Sequence, residues 1–124
     1  MDWVATSGWQ DDNFMKIISN PTGVYKLVMP RRFGKTHLLL RLQKYFIEQG
    51  KSVNVYAPSQ RTLKAYEANG YIQHEKPDVI LIDDFEHNNF LVPRPTSASL
   101  CILTTSDPDT VVNAEHTTLN MQLQ

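Results

Sequence analysis

The sequence of 124 residues has one cysteine and no long apolar run, and each of these shortages excludes a class of protein. A lone cysteine, Cys101, excludes an internal disulfide framework and is typical of a reducing compartment. We therefore expect Cys101 to be buried as a small apolar residue. No segment approaches the roughly 20 apolar residues that span a bilayer, so no membrane association is expected. Without a basic and apolar leader, the chain is expected to be intracellular and cytoplasmic. The four histidines show no metal-ligand spacing.

Length and composition predict one domain over residues 1–124. The composition is ordinary for a globular protein, with 41% hydrophobic and 20% charged residues. A chain of this size buries a modest core but is too short to join a motor domain to a second catalytic domain. Any additional activity would therefore come from partner proteins.

The charges are unevenly distributed although the net charge is only −1. Residues 1–66 carry ten Lys and Arg against four Asp and Glu, whereas residues 67–124 carry two against nine. Such polarity suits a subunit that stacks head to tail in an oligomer, or one that places its basic side on DNA. Two solvated faces of opposite charge explain the pattern equally well.

Apolar periodicity predicts helices that alternate with strands. The expected helices cover residues 11–19, 35–49 and 60–69, and the expected strands cover 24–29, 53–56, 79–82, 98–104 and a C-terminal segment with Leu119, Met121 and Leu123. This alternation predicts an α/β fold with a mostly parallel five-stranded sheet flanked by helices. In such folds, ligands bind at the carboxyl ends of the strands.

A strand, a Gly-Lys-Thr turn and an amphipathic helix follow one another over residues 24–40, which is the arrangement of a phosphate-binding loop. The first helical turn presents unpaired N–H groups and the positive end of the helix dipole. Lys35 is expected to reach the β- and γ-phosphates of ATP, and the Thr36 hydroxyl to hold Mg²⁺. Met29 stands where the loop pattern has its first glycine.

Carboxylates follow the third predicted strand at the same edge of the sheet. Asp83 comes directly after four apolar residues and is expected to bind the Mg²⁺ shell together with Thr36. Asp84 or Glu86 is expected to accept a proton from the attacking water. An acidic turn after a buried strand is the alternative interpretation.

Polar residues also end the fourth predicted strand, at 104–107, where the γ-phosphate is expected. Thr105 and its neighbours could bind the γ-phosphate or the lytic water and so sense hydrolysis, or they could simply form a turn. Arg31 and Arg32, inside the loop, have three open roles: binding the γ-phosphate, binding nucleic-acid phosphates, or solvation in an exposed turn.

The loop at 30–36, PRRFGKT, resembles the variant Walker A motif of phage large terminases, the ATPases that package DNA. Trp9 and Gln10 resemble the adenine-recognising glutamine motif of terminases and related helicases. Residues 57–60, which follow the second predicted strand, are similar to the segment after the corresponding strand in those motors. The resemblance implies that Asp83 is the Walker B carboxylate, residues 104–106 the coupling motif, and Arg31 an arginine finger. Asp84 stands where those motors usually have a catalytic glutamate.

Residues 34–39, 81–84 and 102–107 are also similar to the Walker A, Walker B and sensor segments of replication-initiator and helicase-loader AAA+ ATPases. Both resemblances imply a three-layer P-loop NTPase of the RecA-like type, with an additional strand between the Walker A and Walker B strands. The first implies a virus-encoded, DNA-translocating motor that forms a homo-oligomer or larger assembly. A nucleotide-binding structural subunit without turnover is the non-enzymatic alternative. The predicted nucleotide-binding residues are Gln10, Arg32, Phe33, Gly34, Lys35, Thr36, His37 and Thr105.

Overall fold

Five parallel strands form a single sheet in the computed structural model, which describes residues 12–29, 35–87 and 93–120. The strands are β1 (Gly23–Val28), β2 (Val53–Tyr56), β3 (Val79–Ile82), β4 (Leu100–Thr105) and β5 (Thr117–Asn120). Their order across the sheet is β2-β3-β4-β1-β5, and every neighbouring pair is parallel. The predicted α/β fold with a parallel five-stranded sheet is therefore confirmed.

Among the described residues, three α-helices accompany the sheet: α1 over residues 12–19, α2 (Lys35–Glu48) and α3 (Gln60–Ala68). Helix α2 buries Leu38, Leu39, Leu42 and Phe46, whose spacing of three and four residues puts them on one helix face. Ser59 caps α3, since its hydroxyl accepts a hydrogen bond from the Thr62 N–H. The helix bounds lie within one residue of the predicted ones.

The two faces of the sheet are covered differently. Side chains of all three α-helices pack on one face against strand residues such as Tyr25, Leu27 and Leu81. Among the described residues, the other face is covered by Phe85 of a short 3₁₀ helix and by Val112 and Ala114, which follow β4. Within the described residues, a 3₁₀ turn and loop segments therefore cover this second face, and α-helices cover the first.

Strand β4 lies between β1 and β3, as the additional-strand arrangement requires. The strand Val79–Ile82 is fully buried, and Cys101 is completely inaccessible in β4, both as predicted. The C-terminal strand is present as β5 and buries Leu119, while Met121 and Leu123 lie outside the described residues. The carboxyl ends of β1, β3 and β4 therefore lie side by side, at the edge where the sequence predicts the site.

Candidate functional site

The predicted pair of Mg²⁺ ligands is brought together at this edge. Thr36, in the first turn of α2, donates a hydrogen bond of 2.7 Å from Oγ1 to Oδ2 of Asp83, the residue directly after β3. Asp83 is only 2% exposed, and its N–H donates to the carbonyl of Tyr56 at the end of β2. A hydroxyl and a carboxylate separated by 47 positions thus meet, and both are oxygen ligands of the kind that Mg²⁺ prefers.

A third residue, Tyr66 of α3, shares this carboxylate. Its hydroxyl donates to the same Oδ2 of Asp83 at 2.7 Å, and its side chain is fully buried. Burial first, and then the negative charge of Asp83, raises the pKa of Tyr66 well above its ordinary value. The phenol therefore keeps its proton and acts as a donor over any pH at which the protein would be assayed.

Tyr66 is not among the residues predicted from the sequence. It stands 17 residues before Asp83, in a helix whose pattern indicates only an apolar face, and no spacing rule links the two. A buried tyrosine usually finds a hydrogen-bond partner, which is the one general signal that its hydroxyl would contact something polar. That signal does not say which residue the hydroxyl contacts.

Asp84 occupies a tight turn directly after Asp83. Its backbone φ is +56°, in the left-handed region that few residues other than glycine adopt. The Asp84 N–H donates to Oγ1 of Thr104 at 2.9 Å, which ties the turn to the end of β4. Its carboxylate Oδ1 lies 3.0 Å from Nδ1 of His87, and its side chain is 24% exposed.

Glu86 is bound to the end of β4. Its Oε2 accepts hydrogen bonds from the hydroxyls of Thr105, at 2.9 Å, and Ser106, at 3.3 Å. Its Oε1 accepts from the Ser106 N–H at 2.9 Å. The polar cluster predicted after the fourth strand is therefore present, and Glu86 joins it to the segment after β3.

Asp84, Glu86 and His87 present ligand atoms that all lie within 4.8 Å of one another. The spacing of the histidines alone did not indicate this group. Acidic side chains at a turn commonly gather without a metal, so the group by itself assigns no ion. Its three side chains are half-buried or exposed, whereas Asp83 is buried.

The structure describes some of the remaining predicted residues and not others. Gln10, Arg31, Arg32, Phe33 and Gly34 lie outside the described residues. Lys35 begins α2, and the His37 side chain is exposed in its first turn. Thr105 is fully buried and hydrogen-bonded to Glu86.

Met29, which replaces the first glycine of the loop pattern, is part of the apolar core. It is 1% exposed, and its N–H donates to the carbonyl of Thr105 at 2.9 Å. Its side chain packs with the helix-covered face of the sheet. The departure at this position is therefore explained by core packing.

Comparison with protein-family models and with curated proteins finds no match to this chain. The likeness to terminases and AAA+ ATPases therefore rests on the motifs quoted above. In the described residues, no helix has the length and apolar character needed to cross a bilayer.

Proposed function

We propose that this protein binds ATP with Mg²⁺ where β1 leads into α2, and that it hydrolyses the nucleotide. The observation that carries the proposal is the 2.7 Å hydrogen bond between Thr36 and Asp83. These are the two residues that the loop pattern and the acidic strand end assign to the metal, and they belong to segments far apart in sequence. Thr36 and the Asp83 carboxylate would hold Mg²⁺, which when bound would neutralise charge on the phosphates.

The topology supports the same proposal. A P-loop NTPase of the additional-strand type has one strand between those that carry the Walker A and Walker B residues, and β4 lies between β1 and β3. Helix α2 begins at Lys35, so its N-terminal N–H groups and dipole favour a phosphate near this edge.

For hydrolysis, we assign the proton-accepting role to Asp84 and not to Glu86. Both Glu86 oxygens accept hydrogen bonds from the end of β4, which occupies these oxygens and fixes them in place. Asp84 is directly adjacent to the metal carboxylate, and its Oδ1 is paired with His87, whose ring is partly exposed. A carboxylate at this position could orient the attacking water and accept its proton.

Calorimetry with ATP and MgCl₂, followed by steady-state phosphate release, tests the proposal. We expect Lys35→Ala to abolish phosphate release and weaken nucleotide binding at least tenfold, because the ammonium no longer meets the phosphates. Lys44→Ala is the matched control, since Lys44 is an exposed lysine on the same helix. Absence of binding to any nucleoside triphosphate in the wild type would contradict the proposal.

We further propose that the ATPase serves a DNA-handling assembly as a terminase-like or helicase-like motor subunit. The motif resemblances and the ten Lys and Arg of residues 1–66 support this role. DNA should raise the ATPase rate, and its binding should weaken steeply with added salt because phosphate contacts release counterions. An ATPase rate unchanged by DNA, together with no binding at low salt, would leave the ATPase proposal standing and remove the DNA role.

A nucleotide-binding subunit without turnover is the second candidate. It is favoured by the hydrogen bonds that occupy both Glu86 oxygens and by the Asp84–His87 contact, since a carboxylate that already has partners is less available to an attacking water. Wild-type protein that binds ATP with Mg²⁺ but releases no phosphate, alone or with DNA, would select this candidate.

A further inference from the structure

We propose that Tyr66 is a positioning residue for the metal site: its hydroxyl fixes the Asp83 carboxylate in the orientation that, with Thr36, receives Mg²⁺. The inference rests on the proposed function and extends it to a residue outside every motif in the sequence. Tyr66 would supply a second hydroxyl at this site, and it would act on Mg²⁺ through the Asp83 carboxylate.

One oxygen atom joins three elements of the fold. Oδ2 of Asp83, after β3, accepts a hydrogen bond from Thr36 of α2 and another from Tyr66 of α3, each of 2.7 Å. Because Asp83 is 2% exposed, water has little access to replace either donor. Hydrogen bonds to a buried carboxylate are stronger than those between neutral groups, so they hold its torsion angle firmly.

Tyr66 is itself held in place from α2. The side-chain amide of Gln43, which is fully buried, donates to the backbone carbonyl of Tyr66 at 3.1 Å. The Asn69 amide donates to Oε1 of Gln43 at 2.9 Å and to the carbonyl of Leu40 at 3.1 Å. These bonds fix α3 against α2, and they thereby set the position of the phenol relative to Thr36.

Outer partners of this kind orient the groups that ligate a metal, and their loss typically costs about 10- to 100-fold in metal affinity. Without the phenol, the Asp83 carboxylate would have one hydroxyl donor fewer and more freedom to rotate about its side-chain bonds. Thr36 would then lose the fixed acceptor that directs its own hydroxyl. The effect should fall on the metal and leave the contacts between the phosphates and the loop unchanged.

The test compares Tyr66→Phe with Tyr25→Phe. Tyr25 is a matched control because it is also buried and also loses one hydrogen bond, to the Asn20 carbonyl at 2.6 Å, on a part of β1 away from the site. For each protein, calorimetry measures the affinity for an ATP analogue with a non-hydrolysable β–γ bridge, once with EDTA and once with MgCl₂. The ratio of the two affinities is the gain from magnesium.

We expect Tyr66→Phe to reduce the gain from magnesium tenfold or more while its affinity in EDTA stays within twofold of the wild type. Tyr25→Phe should change neither value by more than twofold. An unchanged gain in Tyr66→Phe, or an equal fall with EDTA and with MgCl₂, would overturn the positioning role and leave the proposed function intact. A wild type that binds no analogue in either condition would overturn both.

If Tyr66→Phe does not fold at the assay temperature, Asn69→Ala provides the test. It loosens α3 from α2 at the helix end and keeps both the phenol and the core. We expect at least a twofold loss of the gain from magnesium, and an unchanged gain would overturn the positioning role.

Discussion

Asp84 is the one residue other than glycine among the described residues with a positive φ, and it lies beside the predicted metal carboxylate. An L-residue in the left-handed conformation pays about 1–2 kcal/mol, although Asp and Asn tolerate it better than most. Strained backbone is concentrated at functional sites, where the surrounding structure maintains it. Here the Thr104 hydroxyl maintains it by accepting the Asp84 N–H.

Substitution of the two carboxylates separates their roles. Asp84→Asn keeps a residue that tolerates the left-handed conformation and removes the proposed base, so we expect phosphate release to fall about 100-fold or more while ATP still binds. Glu86→Gln keeps an acceptor oxygen for the end of β4 and should retain most of the rate. Phosphate release and analogue binding are measured on both variants and on the wild type. Equal residual rates in the two variants would contradict the assignment of Asp84 as the base.

At the scale of elements, the turn after β3 is joined to the end of β4 by side chains. Strands β3 and β4 are paired through their backbones, but this pairing ends at Ile82 and Leu103. Thr104 bonds the Asp84 N–H, and Glu86 bonds the Ser106 N–H, so each segment supplies an acceptor for the other. These bonds therefore join the two strand ends directly.

Replacement of Thr104 tests this connection. Thr104→Val has nearly the same shape but leaves the Asp84 N–H without its acceptor in a partly buried turn, so we expect a loss of about 1–2 kcal/mol in the free energy of unfolding. Thr104→Ser keeps the hydroxyl and loses only a methyl group. Urea unfolding should therefore place Ser between Val and the wild type, and a Val variant as stable as the wild type would show that the bond is dispensable.

Local patterns in the sequence were sufficient to predict helices and strands such as α2 and β3. Leu38, Leu39 and Leu42 recur at helical spacing, and the run Val79–Ile82 is apolar throughout, so short-range periodicity predicts both α2 and β3. The meeting of Thr36 with Asp83 was also predictable, because strand ends of a parallel sheet lie at one edge.

Contacts between distant side chains were not predictable in the same way. Lys26 would usually face water, yet it is 5% exposed in β1 and its Nζ donates to the carbonyls of Pro108 and Thr110. The Tyr66–Asp83 bond likewise depends on how α3 packs against the sheet. Such pairs have no fixed spacing, because tertiary packing creates them.

At the scale of the whole molecule, Cys101 lies in the middle of the fold. It belongs to β4, the central strand of five, and is fully buried on the face opposite the helices. Phe85, Val112 and Ala114 cover this face, so the thiol is reached only when these covering residues move away. The thiol is therefore a probe of the opening of this face.

Burial raises the pKa of Cys101 from 9.0 to about 12, and the consequence for stability can be measured. Well below pH 9 the thiol is neutral in both states and its ionisation does not change the stability. Between pH 9 and about 12 the unfolded chain loses this proton first, so stability falls with rising pH by up to about 1.4 kcal/mol per unit.

The Cys101→Ala variant lacks this ionisation, whereas every other titrating group is common to both proteins. We therefore expect the difference in unfolding free energy between wild type and variant to be constant from about pH 7 to 8.5. By about pH 10 it should shift by roughly 1.4 kcal/mol against the wild type. Urea titrations at each pH measure it. If the unfolding free energies of wild type and variant changed equally with pH, the thiol would ionise normally in the folded protein, and the centre of the sheet would be open to solvent.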